Sequence, residues 1–368
     1  MKHRRWRPFI GAGLESAAVI ALAVSCGGSS STRLRWSDDD AGWMPDGRSI
    51  VFVSNRRATP AAWGTDGGPW GLYVMAVDGR KLRRLTAPGG GCDDRDPAPS
   101  PDGLEIAFLR DCGSTGNLMV VSSEGGLPRL LARGPDLFSW SPDGRLIAFT
   151  RTRDASDPFS PDDLFVVPTS GGSVRLAAKG DGTTALGSSV GGFAWSHDGT
   201  RIAFGCQGGS LCVDKMRTGT IRRLHLFSRG NDVSSVEWSP DDNELAFVDG
   251  SGGSYDPNYS AWVMAADGHH TLALPRHGEG NVDALEWLPN HPQVLLINTD
   301  YAKAYLIRAD GTSKHDLPFE VDTISPSTDG SKLLFVRRVF DSEGSYYRSA
   351  ISVATLRTGQ TERLTQRP

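Results

Sequence analysis

The 368-residue sequence predicts an all-β fold, a seven-bladed β-propeller with four antiparallel strands per blade. Three observations predict it. A nine-residue turn-and-strand unit recurs seven times at a period of about 47 residues, a length suited to one propeller blade. A second strand-turn-strand unit follows each copy, and outside the N-terminus no long stretch carries helical periodicity. Glycine (44) and proline (22) are abundant without a collagen-like period, which suits short strands joined by tight turns.

The N-terminus, residues 1–25, reads as an export signal: Lys2, Arg4, Arg5 and Arg7 precede the apolar run Ala17 to Val24. That run is too short for a mature membrane-spanning helix, which takes about 20 residues. It ends in "LAVSC", where small residues precede Cys26, and this resembles the lipobox of bacterial lipoproteins. The resemblance implies that Cys26 is lipidated and anchors the mature chain to a membrane. A plain secretory signal cleaved nearby is the alternative. Residues 26–37 then read as a flexible tether and 38–368 as the propeller. Removing residues 1–25 takes the formal charge from −4 to −7, and an acidic mature protein is a poor nucleic-acid binder.

The repeats follow in order: "MPDGRSIVF" (44–52), "SPDGLEIAF" (100–108), "SPDGRLIAF" (141–149), "SHDGTRIAF" (196–204), "SPDDNELAF" (239–247), "LPNHPQVLL" (288–296) and "STDGSKLLF" (327–335). Trp43, Trp140, Trp195, Trp238 and Trp287 stand just before the turn. Ser-Pro-Asp-Gly places Pro at the second position of a type I turn and Gly where a left-handed residue follows, so each unit is a hairpin corner. The outgoing strand is continuously apolar, as a strand covered on both faces should be. The second units, such as "LYVMAVDGRKLRRLT" (72–86) and "LFVVPTSGGSVRLAA" (164–178), are strand, Gly-containing turn and strand again. Residues 286–296 depart most from the unit, with Asn290-His291-Pro292 replacing Asp-Gly-Arg.

The "WSPDG…IAF" unit followed by "LYVM…DG…RLT" resembles the PD40 or TolB-like repeat and covers residues 38 to 366. TolB itself resembles a six-bladed propeller behind a small α/β domain, whereas this chain repeats seven times without that domain. A periplasmic Tol–Pal role therefore does not transfer automatically with the resemblance.

Four cysteines remain besides Cys26, and an exported chain is expected to pair them. Cys92 and Cys112 flank the turn Pro101 to Leu104 almost symmetrically, and Cys206 and Cys212 flank Gln207 to Ser210. Both pairs suit cross-strand disulfides. A four-thiolate metal site is disfavoured, because a whole blade separates the two pairs.

Alternation of chain direction puts the stereotyped turns on one face and the variable loops on the other. The loops carry Trp63, Trp70, Phe159, Tyr255, Tyr259, Phe340, Tyr346 and Tyr347, which are expected either to anchor a ligand or to pack the loops onto the blades. Asp40, Asp96, Asp136, Asp232, Asp283 and Asp322 are expected just before the innermost strands, with Asp38, Asp39, Asp93 and Asp94 nearby. Their carboxylates are expected at the channel mouth, where they suit a basic peptide segment or a hard cation such as Ca²⁺. Turn capping is the alternative, and no sequential Ca²⁺ loop accompanies them.

Enzyme motifs are sparse. "GSSVG" (187–191) matches a nucleophile elbow, yet a propeller strand follows Ser189 where that motif needs a helix. The eight histidines show no ligand spacing, and no cofactor is expected. The sequence thus points to a non-catalytic, exported and membrane-anchored lipoprotein, a monomer facing the periplasm or cell exterior. Its propeller is expected to bind an envelope protein or peptide. A polysaccharide-binding or polysaccharide-cleaving propeller is the alternative.

Overall fold

A computed structural model describes residues 37–56, 69–113, 116–154, 156, 160–180, 192–206, 210–226, 232–251, 258–275, 281–298, 303–340 and 347–365. These residues form seven four-stranded antiparallel sheets, each built from four consecutive strands. Blade 1 contains β1 (Asp38–Trp43), β2 (Ser49–Ser54), β3 (Gly71–Ala76) and β4 (Arg83–Arg84). Blade 2 contains β5 (Asp93–Pro99), β6 (Glu105–Asp111), β7 (Gly116–Ser122) and β8 (Arg129–Arg133). Blade 3 contains β9 (Phe138–Trp140), β10 (Leu146–Thr152), β11 (Asp162–Pro168) and β12 (Arg175–Ala178). Blade 4 contains β13 (Phe193–Trp195), β14 (Arg201–Cys206), β15 (Ser210–Lys215) and β16 (Thr220–Leu226). Blade 5 contains β17 (Asp232–Trp238), β18 (Glu244–Ser251), β19 (Asn258–Ala265) and β20 (Leu272–Ala273). Blade 6 contains β21 (Ala284–Trp287), β22 (Gln293–Asn298), β23 (Lys303–Arg308) and β24 (His315–Asp316). Blade 7 contains β25 (Thr323–Pro326), β26 (Lys332–Phe340), β27 (Tyr347–Thr355) and β28 (Thr361–Arg363).

The repeated turn is explained by its own hydrogen bonds. In blade 2 the Ser100 hydroxyl donates to Asp102 (2.6 Å), the Leu104 amide donates to the same carboxylate (3.0 Å), and the Glu105 amide donates to Ser100 Oγ (2.9 Å). Gly103 takes the left-handed conformation the corner needs, at φ 72°. The same Ser–Asp pairing recurs at Ser141–Asp143, Ser196–Asp198, Ser239–Asp241 and Ser327–Asp329. These bonds hold the Asp329 carboxyl down to about 2, with the Ser327 hydroxyl the main cause. In the divergent sixth repeat Asn290 supplies the positive φ (61°), and the blade is complete. Asparagine tolerates that region, so the departure in sequence costs no strand.

The core lies in the seams between blades. Each of the seven buried clusters draws residues from two neighbouring blades. One of them joins Trp43, Ile50 and Phe52 of blade 1 to Leu334, Val336 and Ile351 of blade 7, so the ring closes by ordinary side-by-side packing. Closure is reinforced where the Trp43 indole donates to the Ser325 carbonyl of blade 7 (3.2 Å). The same bond recurs from Trp140 to Ala98 (2.9 Å) and from Trp238 to Ala194 (3.2 Å). Blade 7 completes its sheet from its own four strands, so closure needs no borrowed strand; residues 32–36 lie outside the described set.

The indole of Trp195 has no hydrogen-bond partner, which supplies a control. In urea denaturation Trp43→Phe is expected to cost about 1 kcal/mol more than Trp195→Phe, the net value of one hydrogen bond. Equal costs would show that the indole bond does not contribute to closure.

Candidate functional site

Two of the acidic positions are placed by bulges in the innermost strands. β1 shifts register between Asp39 and Gly42, and β5 shifts between Arg95 and Ala98. The bulges put Asp40 (φ 44°) and Asp96 (φ 52°) in the left-handed region, which short polar side chains tolerate better than others. Bulges re-aim side chains at strand ends. Here they bring neighbouring blades together, and the Asp96 amide donates to Asp40 Oδ2 at 3.4 Å.

Around this pair lies a cleft of about 450 Å³ on the loop face, lined among others by Asp39, Asp40, Trp70, Asp93, Arg95 and Asp111. Arg95 is committed to its surroundings: it pairs with Asp96 and donates to Asp111 Oδ2 at 2.6 Å. Both carboxylates hold its guanidinium charged, against the cost of burial. Trp70 is half-buried in the cleft wall, and its amide donates to Asp93 Oδ1 at 2.9 Å. Cys92 and Cys112 are bonded to each other beside the cleft, and Cys206 is bonded to Cys212 in blade 4. Both cross-strand pairings expected from the spacing are present, and they suit an oxidising compartment.

Beneath the cleft, Asp94 is buried and serves the fold. Arg110 donates to both its oxygens (2.6 and 2.9 Å) and Thr86 donates a hydroxyl bond at 2.5 Å. Asp38 is buried in the same manner against Arg56, and Asp163 against Arg153.

The remaining acidic positions are dispersed. Asp136 is open to solvent and accepts bonds from the Thr152 amide (3.3 Å) and hydroxyl (3.1 Å). Crowding by protein raises its carboxyl above the ordinary value, and Asp162 adds to the rise, while Thr152 and the Arg95 charge oppose it. Asp283 is buried, 7% exposed, rather than presented at the surface, and Asp322 is half-buried. Asp232 opens β17, and its side chain lies outside the described set, as do those of Phe340 and Tyr347.

Those last two aromatics belong to paired strands rather than to a loop, because β26 and β27 extend until Phe340 and Tyr347 face each other. Trp70 and Tyr259 pack against seam clusters, the loop-anchoring role. Cys26, Trp63, Phe159, Tyr255 and Tyr346 lie outside the described residues, as does Ser189. Among the described residues no three His, Cys, Asp or Glu side chains converge as metal ligands, and no helix is long and apolar enough to cross a membrane.

A second acidic feature was not anticipated from the sequence. Glu237 and Glu286 stand immediately before Trp238 and Trp287 on the innermost strands β17 and β21 of adjacent blades. Trp238 packs into the seam with blade 4 and Trp287 into the seam with blade 5, so each glutamate alternates to the opposite face of its strand. Burial pushes Glu237 up to about 7. Burial, with the Glu237 charge added, pushes Glu286 up to about 8. The signal was present in the aligned repeats, since the same register holds Gly42, Ala98, Ser139, Ala194 and Ser325 elsewhere.

No protein-family model matches the sequence, and no curated protein matches it. Solved structures do resemble the fold. An oligogalacturonate lyase in complex with manganese is similar at TM-score 0.63 and 15% identity, over 85% of this chain and 87% of that one. Hydrazine synthase of Kuenenia stuttgartiensis is similar at TM-score 0.58 and 12% identity, over 92% and 99%. A TolB structure from Agrobacterium tumefaciens gives TM-score 0.44 at 19% identity, over 78% and 86%, too distant to carry an argument. At these identities the likeness shows the propeller fold alone.

Proposed function

We propose that this chain is a non-catalytic propeller of the cell envelope, tethered through Cys26, that binds a basic segment of a protein or peptide at the mouth between blades 1 and 2. The observation that carries the reading is the charge of the cleft. Among the described residues Asp39, Asp40, Asp93 and Asp111 line it with Arg95 as the one basic lining residue, Arg95 is already engaged by Asp96 and Asp111, and the fifth carboxylate, Asp94, is neutralised by Arg110. A concave site with one sign of charge focuses its field on an approaching cation. The two disulfides support export. A polysaccharide ligand, bound or cleaved, is the second reading, and Trp70 in the wall beside the carboxylates favours it.

The test is a cross-linking pull-down from native membranes with wild type and the triple variant Asp40→Asn, Asp93→Asn, Asp96→Asn. Asparagine tolerates the left-handed backbone at positions 40 and 96 and keeps an acceptor for the Trp70 amide at position 93, so the melt should be unchanged. Removal of three charges should weaken capture of a basic partner about tenfold at physiological salt. If identical proteins come down with both forms, the acidic mouth is turn chemistry. Glycan binding that survives in the triple variant and is lost in Trp70→Ala would establish the second reading instead.

A further inference from the structure

The seam between blades 3 and 4 contains a carboxylate that the repeat does not call for. Asp214 on β15 is fully buried, and neither of its oxygens has a hydrogen-bond partner. Across the sheet it aligns with Ile202, which aligns with Trp195, so the side chain lies on the face turned toward blade 3. The corresponding positions in the other blades are Met75, Val121, Val167, Met264, Ile307 and Ala354, all buried and apolar. An isolated charge cannot be held there without compensation.

Compensation lies within reach on the other side of the seam. Arg175 on β12 pairs in register with Val166, whose side chain packs into the same seam, so Arg175 faces blade 4 from the outer edge. Two of its counterparts are clamped onto the next blade, Arg83 donating to the Ser123 carbonyl and Arg222 to the Asp267 carbonyl, both at 2.7 Å, while a third, Arg129, pairs with Glu105 of its own blade. Arg175 is exposed and makes no such bond among the described residues. Burial raises the Asp214 carboxyl, and the charge of Arg175 is what opposes the rise. The other groups around Asp214, namely Ile202, Ile221, Trp195, Leu164, Val166 and the disulfide-bonded Cys212, carry no charge.

We propose that Asp214 and Arg175 form a proton-controlled latch across this seam. Protonated, Asp214 packs as an apolar side chain and Arg175 stays in solvent. When the carboxyl releases its proton to water, the carboxylate draws the guanidinium inward and fastens β12 to blade 4.

The test follows hydrogen exchange of the β12 amides in the full chain from pH 5 to 8, corrected for intrinsic rates, together with the ¹³C carboxyl signal of Asp214. In wild type, β12 protection should rise with pH, in step with an Asp214 titration above the ordinary carboxylate range. Arg175→Gln should move that titration upward by about one pH unit, a tenfold change in proton affinity, and abolish the gain in protection. Asp214→Met, the side chain that blades 1 and 5 use here, should leave β12 protection independent of pH; Asp214→Asn serves if the methionine variant does not fold. Protection that ignores pH in wild type, or a titration unmoved by Arg175→Gln, overturns the latch.

Discussion

Arg110→Ala is expected to lower the stability of the propeller by about 3–5 kcal/mol, the cost of leaving a buried carboxylate without its counter-charge. Asp94 is 1% exposed and accepts two bonds from Arg110 and one from Thr86, whose hydroxyl oxygen in turn accepts the Leu72 amide of β3 at 2.9 Å. The Asp94 amide donates to the Trp70 carbonyl at 3.0 Å. The ion pair thus fixes, within blade 2, the aspartate whose bonds with Thr86 and Trp70 tie blade 2 to blade 1 at the acidic cleft. Its removal should loosen the cleft as well as the fold. Replacing both partners, Asp94→Leu with Arg110→Met, should be far less damaging, because no charge is stranded. Urea denaturation of the three variants decides the matter. A single-variant cost below about 1 kcal/mol would place the pair among exposed ion pairs of little consequence.

Glu286→Gln is expected to be stabilising in mildly alkaline solution. The folded chain holds Glu237 up to about 7 and Glu286 up to about 8, whereas in the unfolded chain both titrate near the ordinary glutamate value. A carboxyl raised on folding contributes stability that is complete below the unfolded value and is lost as pH rises through the folded one. Wild type should therefore weaken between about pH 4.5 and pH 8 by an amount on the order of a few kcal/mol. The neutral glutamine should flatten most of that slope, and Glu237→Gln should act in the same direction through the shared repulsion. Asp329 works in the opposite sense at the acid end: held down to about 2, its contribution is present above the unfolded value and is lost as pH falls toward 2. Chemical denaturation at pH 5, 6, 7 and 8 reads the slope directly. Parallel curves for wild type and Glu286→Gln would show that the pair is hydrated through the channel and unstrained.

Most of the fold was legible because its determinants are local. Ser100, Asp102 and Gly103 close a turn among themselves, and a strand's alternation states which residues enter a seam. The cysteine pairs were legible for the same reason, since hairpin symmetry places Cys92 opposite Cys112. The candidate site was only partly legible. Aspartates that look equivalent in the repeats separate into Asp40 and Asp96 on bulges, Asp94 buried against an arginine, and Asp283 buried in blade 6. Nothing in the spacing of those residues distinguishes them.

By itself the sequence determined the blade, its turns, the sevenfold repetition and the disulfides, because each depends on contacts within one hairpin or on a pattern repeated at a fixed period. Only the tertiary structure decided which charges meet. The Asp40–Asp96 contact, the Glu237–Glu286 repulsion and the unmatched Asp214 opposite Arg175 all arise between adjacent blades, from residues about a blade's length apart. Their energies depend on burial and on distance across a seam, quantities that exist only once the ring has closed.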